Sequence, residues 1–363
     1  MTLRLALLAA GMLTTSVAFA QQPTSEAEVK KAWAEFIKKT YDESQQAETF
    51  EQYDQIVKSC DEALPKITDQ AQREYLRQLS AWAYNRRGKE YSKQAGEAAD
   101  AEAAIALEAK AMADFQESVR RDGNKWQAIH NRGVSYALLG EYEKALADFD
   151  RTVEINPKFA NAWFNRGEIR FEQQEFEAAA GDYSQAITLK PADAGAYSAR
   201  GHAYYRLKRY QGAVADFSKA VQLEPADAVA RTDRGDVYAN LGYWREAAED
   251  YREAVKLDPD LGRAYMGAAW IMATCPDQTY RNADLAVQSA EKALNLDGTD
   301  DWRYFDTLAA AYANAGQFEA ALEASRKAQA DAPEEQTASL AARHKLYEAS
   351  SPYRDTARVV DGN

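Results

Sequence analysis

One spacing constrains this 363-residue chain more than any other feature. Asn131-Arg132-Gly133 returns 34 residues later as Asn165-Arg166-Gly167, then as Ala199-Arg200-Gly201 and Asp233-Arg234-Gly235. Pro157, Pro191, Pro225 and Pro259 keep the same time, as do Ala145, Ala179, Ala213 and Ala247. So do the aromatics Phe149, Tyr183, Phe217 and Tyr251. A fixed period of this length means a stack of one supersecondary unit, because a single copy cannot bury its own apolar face. Repeated residues then build the frame, and residues that change at equivalent positions carry specificity.

With Trp126, Ala160, Ala194 and Ala228 as position 1, each unit reads as two helices, over about positions 2–14 and 17–30. The proline at position 32 has no amide hydrogen to continue the second helix. A glycine in mid-helix costs roughly 1 kcal/mol against alanine, so its recurrence at position 8 implies close packing. The expected partner is the small alanine at position 20. Apolar residues at 4, 8 and 11 form one helical stripe, and aromatics at 17 and 24 fill the space between units. Arginine at position 7 and aspartate at position 23 lie equally far from the turn. The spacing predicts the pairs Arg132–Asp148, Arg166–Asp182, Arg200–Asp216 and Arg234–Asp250. An upstream unit keeps both residues as Arg87 and Asp114, and the last unit loses both as Leu308 and Ala324.

Gly at 8, Tyr at 11, Ala at 20, Phe or Tyr at 24, Ala at 27 and Pro at 32 closely resemble the tetratricopeptide repeat, over four units from Trp126 to Leu261. Departures are Arg170 at position 11, Thr152 at position 27, and Arg in place of Leu at position 7. The resemblance implies an all-α fold, a right-handed α-solenoid of antiparallel helix pairs with capping helices. It also implies a protein or peptide partner held in a concave groove. Flanking segments depart from the rhythm. Ser25-x-x-Glu28 reads as a capping box opening an N-terminal capping region, 21–80. A lengthened unit follows (81–125), with 11 extra residues around Gln94–Ala109 whose Ala and Glu content favours helix. After the regular block come a unit that gains six residues, the insertion falling around Ala273–Asp277 (262–301), a last unit (302–334), a capping helix (335–351) and a tail (352–363) expected to be loose.

Arg4, the apolar run Leu5–Leu13 and Ala18-Phe19-Ala20 read as a signal peptide (1–20) cleaved after Ala20, which places the mature protein in the periplasm or outside the cell. No membrane insertion is expected after cleavage. The chain carries 44 basic and 57 acidic residues, a net charge of −13, which becomes −14 once Arg4 is removed. That balance argues against nucleic acid and anionic membrane surfaces as partners. Cys60 and Cys275 lie far apart along the stack and are expected to be free thiols.

No catalytic constellation is present. The three histidines, His130, His202 and His344, belong to no H-E-x-x-H, and no CxxC, phosphate loop or G-x-S-x-G occurs. Neither a cofactor nor a metal is expected, and the reading is non-enzymatic. Positions 5, 9 and 12 form a second stripe, rotated about 100° from the first. By the resemblance, this stripe with positions 2 and 13 faces the groove. It gives His130, Phe164, Glu168, Phe171, Glu172, His202, Tyr205, Arg206, Asp236, Met266 and Trp270 as candidate partner contacts. Here the chemistry changes from unit to unit while the frame holds. The aromatics suit an extended peptide or helix, and equally a sugar ring of a cell-wall glycan. A hydrolase would need a cluster assembled from scattered residues. The family's carboxylate-holding Lys/Asn/Arg set is poorly matched, since position 5 is never Lys.

Overall fold

The computed structural model describes residues 25–298 and 301–355, and the signal-peptide reading lies outside them. Among the described residues there are seventeen α-helices, two short 3-10 turns and no strand. The chain divides after Ile169 into two compact units.

The first unit opens at the capping box: Ser25 N donates to Glu28 Oε2 (3.0 Å) and Glu28 N to Ser25 Oγ (3.2 Å). Helices Glu26–Gln46, Phe50–Ala63 and Gln70–Gly96 enclose an apolar core that includes Ile56, Cys60 and Leu76. The 11 added residues lengthen both helices of the next pair, Gln70–Gly96 and Ala101–Arg121, around a four-residue turn. The regular pair Trp126–Leu138 and Tyr142–Ile155 follows.

The second unit stacks pairs Ala194–Arg206/Tyr210–Leu223, Ala228–Leu241/Trp244–Leu257, Gly262–Thr274/Ala283–Asp297 and Trp302–Asn314/Phe318–Asp331. Helix Glu334–Glu348 caps the last pair. The inserted residues form a 3-10 turn, Gln278–Tyr280, and Asn282 caps the next helix by accepting from Leu285 N. Both cysteines are free and buried; burial pushes the Cys60 thiol up to about 12 and raises Cys275 as well.

The nearest neighbour of the repeated glycine is an aromatic ring; at Gly88 the Ala111 carbonyl also lies close, 3.2 Å from an added Cβ. At three of these glycines the aromatic at position 24 lies over the backbone: an added Cβ would stand 2.9 Å from the Phe149 ring at Gly133, 3.0 Å from Phe217 at Gly201 and 2.9 Å from Tyr251 at Gly235. Position 20 is buried too, but the glycine clears room for a ring, which buries far more apolar area than a methyl group.

The pairs predicted for Arg132, Arg200 and Arg234 form, each as a two-point fork. Arg132 Nε and Nη2 donate to Asp148 (2.8 and 2.7 Å), and Arg200–Asp216 and Arg234–Asp250 repeat the geometry at 2.7 Å. Arg87 and Asp114 do the same. The remaining guanidinium nitrogen reaches back to position 25 of the preceding pair: Arg200 Nη1 to Ser184 Oγ (3.0 Å) and Arg234 Nη1 to Ser218 Oγ (3.3 Å). Arg166 Nη1 likewise meets Asp150 (2.6 Å), while Asp182 is bonded by Arg170 (2.8 Å), the departure at position 11. Arg200 and Arg234 are therefore staples between successive pairs as well as within one.

Candidate partner-binding groove

In the second unit the stripe at positions 5, 9 and 12 converges. Tyr205, Asp236, Met266 and Trp270, from three successive first helices, line one cavity of about 300 Å³. Its floor is set by Tyr251, a second-helix residue that reaches inward between two glycines. Gly235 lies under one face, and a side chain at Gly267 would collide with the same ring. The Tyr251 hydroxyl thereby donates to Asp236 Oδ1 at 2.6 Å. Enclosure by protein holds the Asp236 carboxyl above the usual carboxylate range, and the charge of Arg263 and the Tyr251 bond only partly offset it. Asn240 Nδ2 donates to the Tyr205 hydroxyl (3.1 Å), which orients that ring on the wall.

A polar chain runs beside the floor. His202 Nε2 lies 3.1 Å from Asp233 Oδ2, and Arg263 bonds the other oxygen of Asp233. Burial raises the Asp233 carboxyl, but the bonds to His202 and the charge of Arg263 outweigh it and leave the group below its ordinary value. His202 is therefore a partly exposed, carboxylate-held residue beside the cavity and not on its lining.

The far end was not legible from the repeat. Asp306 at position 5 of the last pair is forked by Arg343 of the capping helix, with bonds of 2.9 and 2.8 Å. Both side chains are buried, so Arg343 belongs to the packed face of that helix and not to the charged outer side expected for it; Leu346 is the residue left exposed. Trp302 and Arg303 complete the wall. The tail is not loose over residues 352–355. Ser350 adopts a left-handed backbone (φ 52°), its amide and that of Ser351 close the helix end, and Pro352 blocks further helix. Tyr353-Arg354-Asp355 then lies back along helix Gly262–Thr274. Trp270 Nε1 donates to Asp355 Oδ2 (2.8 Å), Asp355 N to the Thr274 carbonyl (2.8 Å) and Arg354 Nη1 to the Ala273 carbonyl (2.9 Å). The Tyr353 ring stands 5.9 Å from Trp270.

Other candidates fall elsewhere. Phe171 packs on Phe176 (5.2 Å), over which Arg206 stacks (4.4 Å), outside the cavity. Glu172 is exposed. In the first unit Phe164 is half-buried and Glu168 exposed. His130 is no groove residue: it is 7 % exposed, wedged between Phe149 (5.5 Å) and Phe159 (4.8 Å). Burial pushes its imidazole down to about 4. The first unit also holds a wider cleft lined by Arg73, Arg77, Arg120 and Arg121. Its charge is largely met internally, with Arg120 and Arg121 on Glu117, Arg121 also on Asp61, and Arg77 on Glu74.

Among the described residues no group of three or more His, Cys, Asp or Glu is placed to hold a metal ion, and no helix is long and apolar enough to cross a membrane.

Family models for the tetratricopeptide repeat match residues 126–159, 194–227 and 228–261, and one for the TPR repeat matches 167–208. No catalytic family is indicated. No curated protein matches the chain in sequence. Among solved structures, Pseudomonas aeruginosa pilF is similar at 16% identity and TM-score 0.51, covering 63% of this chain and 96% of its own. MamA from Desulfovibrio magneticus RS-1 (21% identity, TM-score 0.43) covers 49% of this chain and 95% of its own. YrrB, a TPR protein with an unusual peptide-binding site (20%, 0.39), covers 63% and 97%. At these identities the likeness is one of fold. The chain belongs to the tetratricopeptide repeat family, and its all-α helix pairs are that family's fold.

Proposed function

We propose that this chain is a non-enzymatic adaptor that binds an extended protein segment along the groove of its second unit, at Tyr205, Asp236, Met266 and Trp270. The observation that carries this reading is their convergence. Four side chains from three helices, unrelated in type, border one cavity while the repeated residues around them hold the frame. Two apolar anchors beside a carboxylate suit a peptide with alternating apolar and polar side chains. The leader-like segment 1–20 supports a place in the cell envelope.

The test is covalent capture. A photo-crosslinking amino acid at Met266 is expected to trap a partner in envelope extract, and Tyr205→Ala/Trp270→Ala to abolish that adduct in a chain of unchanged helical content. An adduct that persists in the double variant overturns the groove assignment. The address is checked by sequencing the N-terminus of the native protein. A start at Gln21 is expected, and a start at Met1 overturns export.

A further inference from the structure

We infer that this groove selects extended segments carrying an aromatic side chain and a carboxylate two residues apart, and that the chain's own Tyr353-Arg354-Asp355 is its tethered occupant. The inference rests on the groove reading above and supplies the ligand chemistry it lacks.

The tail is bound as a peptide would be. Helix Gly262–Thr274 ends at Cys275 and Pro276, so its last carbonyls have no partner in the helix. The tail provides donors for two of them, the Asp355 amide to Thr274 and the Arg354 side chain to Ala273. Those bonds are largely blind to sequence. Selection comes from the side chains, and those of residues 353 and 355 both meet Trp270. Asp355 meets the indole N–H of Trp270 with one oxygen and lies 3.3 Å from the Tyr353 hydroxyl with the other. The Tyr353 ring lies against Trp270 and 5.4 Å from the Arg343 guanidinium carbon, an arrangement in which ring face and cation attract.

The seat is built for exchange. Tyr353, Arg354 and Asp355 all stay partly exposed, and Tyr353 and Asp355 border the same cavity as Tyr205 and Asp236. A free segment that makes the bonds of residues 353–355 and also packs on other lining residues, such as Met266 and Asp236, gains contacts beyond those three residues. Such a gain is needed, because a short tether presents the tail at an effective concentration in the millimolar range. A free ligand is then weakened by the fraction of chains whose seat is open.

The experiment uses a labelled, amidated peptide of residues 350–355 and fluorescence anisotropy. Three proteins are compared: the full chain, the chain ended after Ser351, and the full chain with Tyr353→Ala/Asp355→Ala, which opens the seat with the polypeptide intact. Both opened proteins are expected to bind the peptide at least tenfold more tightly than the full chain. Trp270→Ala in either, or Ala for Asp355 in the peptide, is expected to remove that binding. Peptide that ignores both opened proteins, or binds the full chain equally well, overturns the inference. The two readings fail separately. Lost peptide binding with a Trp270-dependent Met266 adduct sinks only the tail proposal. Peptide binding with an adduct indifferent to Trp270 sinks the partner-groove assignment.

Discussion

The regular pairs over 194–261 and the end of the stack over 262–355 use one interaction in two places. In the regular pairs the arginine fork sits on the seam between helices, with its third nitrogen turned to the preceding pair. It never meets the groove. In the last two pairs position 7 is Ala268 and Leu308, and the seam pair is gone. An arginine–aspartate fork returns as Arg343–Asp306, now facing the cavity and joined by the tail. Charge that braces the seam in the middle of the stack is, at its end, placed on the cavity lining.

Breaking the two forks sharpens this contrast most. Removing one partner of a buried pair costs about 3–5 kcal/mol, because the other charge stays buried and alone. Arg343→Ala, which strands Asp306, belongs in that range. Arg200→Ala also strands a buried carboxylate, Asp216, but its arginine is nearer solvent, so water reaches the vacated site and a cost at the low end, about 3 kcal/mol, is expected. Urea unfolding of both variants checks the order, and an Arg200→Ala cost that exceeds the Arg343→Ala cost breaks the comparison.

Position 5 gives a second contrast. The cavity end presents Met266 and Asp306 there, whereas the Trp126 pair buries His130. With the imidazole held at about 4 in the folded chain and near 6.5 when unfolded, the unfolded state takes a proton that the native state refuses. Stability is therefore lost as pH falls from about 6.5 towards 4, by roughly 3 kcal/mol at most. Equilibrium unfolding at pH 7 and pH 4.5 is expected to show a smaller drop for His130→Phe than for the parent. Equal drops would mean that His130 is not the neutral, enclosed group described.

Much of this was legible in the sequence because it repeats. A residue that returns every 34 positions reports the environment common to all pairs, so the seam forks and helix bounds could be read directly. Contacts made once leave no such trace. Arg343 looked like a surface charge on an amphipathic helix, and its burial depends on Asp306, 37 residues away. The tail looked too polar to bury anything, yet its partners are backbone carbonyls freed by the Pro276 insertion. His130 shares the groove stripe by spacing, but Phe159 covers it. One repeated signal was only half visible. Position 15 is left-handed in five pairs and is glycine at Gly140, Gly242 and Gly316, but Gln174 and Lys208 hold the same turn with positive φ.

That turn yields a smaller effect inside the regular block. Lys208 (φ 59°) carries a Cβ where glycine carries none. Lys208→Gly is expected to relieve about 1 kcal/mol of strain, reduced by the greater freedom of glycine in the unfolded chain. Gly242→Ala, at φ 77°, is expected to cost a similar amount. Thermal unfolding that moves the two variants in the same direction would show that the turn is not set by its backbone conformation.

The smallest effect is the most specific to the end of the stack. Asp355→Ala removes the acceptor for the Trp270 indole and leaves the backbone bond to Thr274 in place. One such hydrogen bond is worth about 1 kcal/mol net, which in a local opening equilibrium is about a fivefold change. The residue-355 amide should then exchange with deuterium about fivefold faster, while the buried amides of Ala228–Leu241 keep the parent rate and global stability is unmoved. If those amides quicken as well, the tail braces the stack as the seam forks do, and the distinction between bracing middle and exchangeable end is lost. If the residue-355 amide is unaffected, Trp270 does not hold the tail, and the ring contact with Tyr353 must carry the seat.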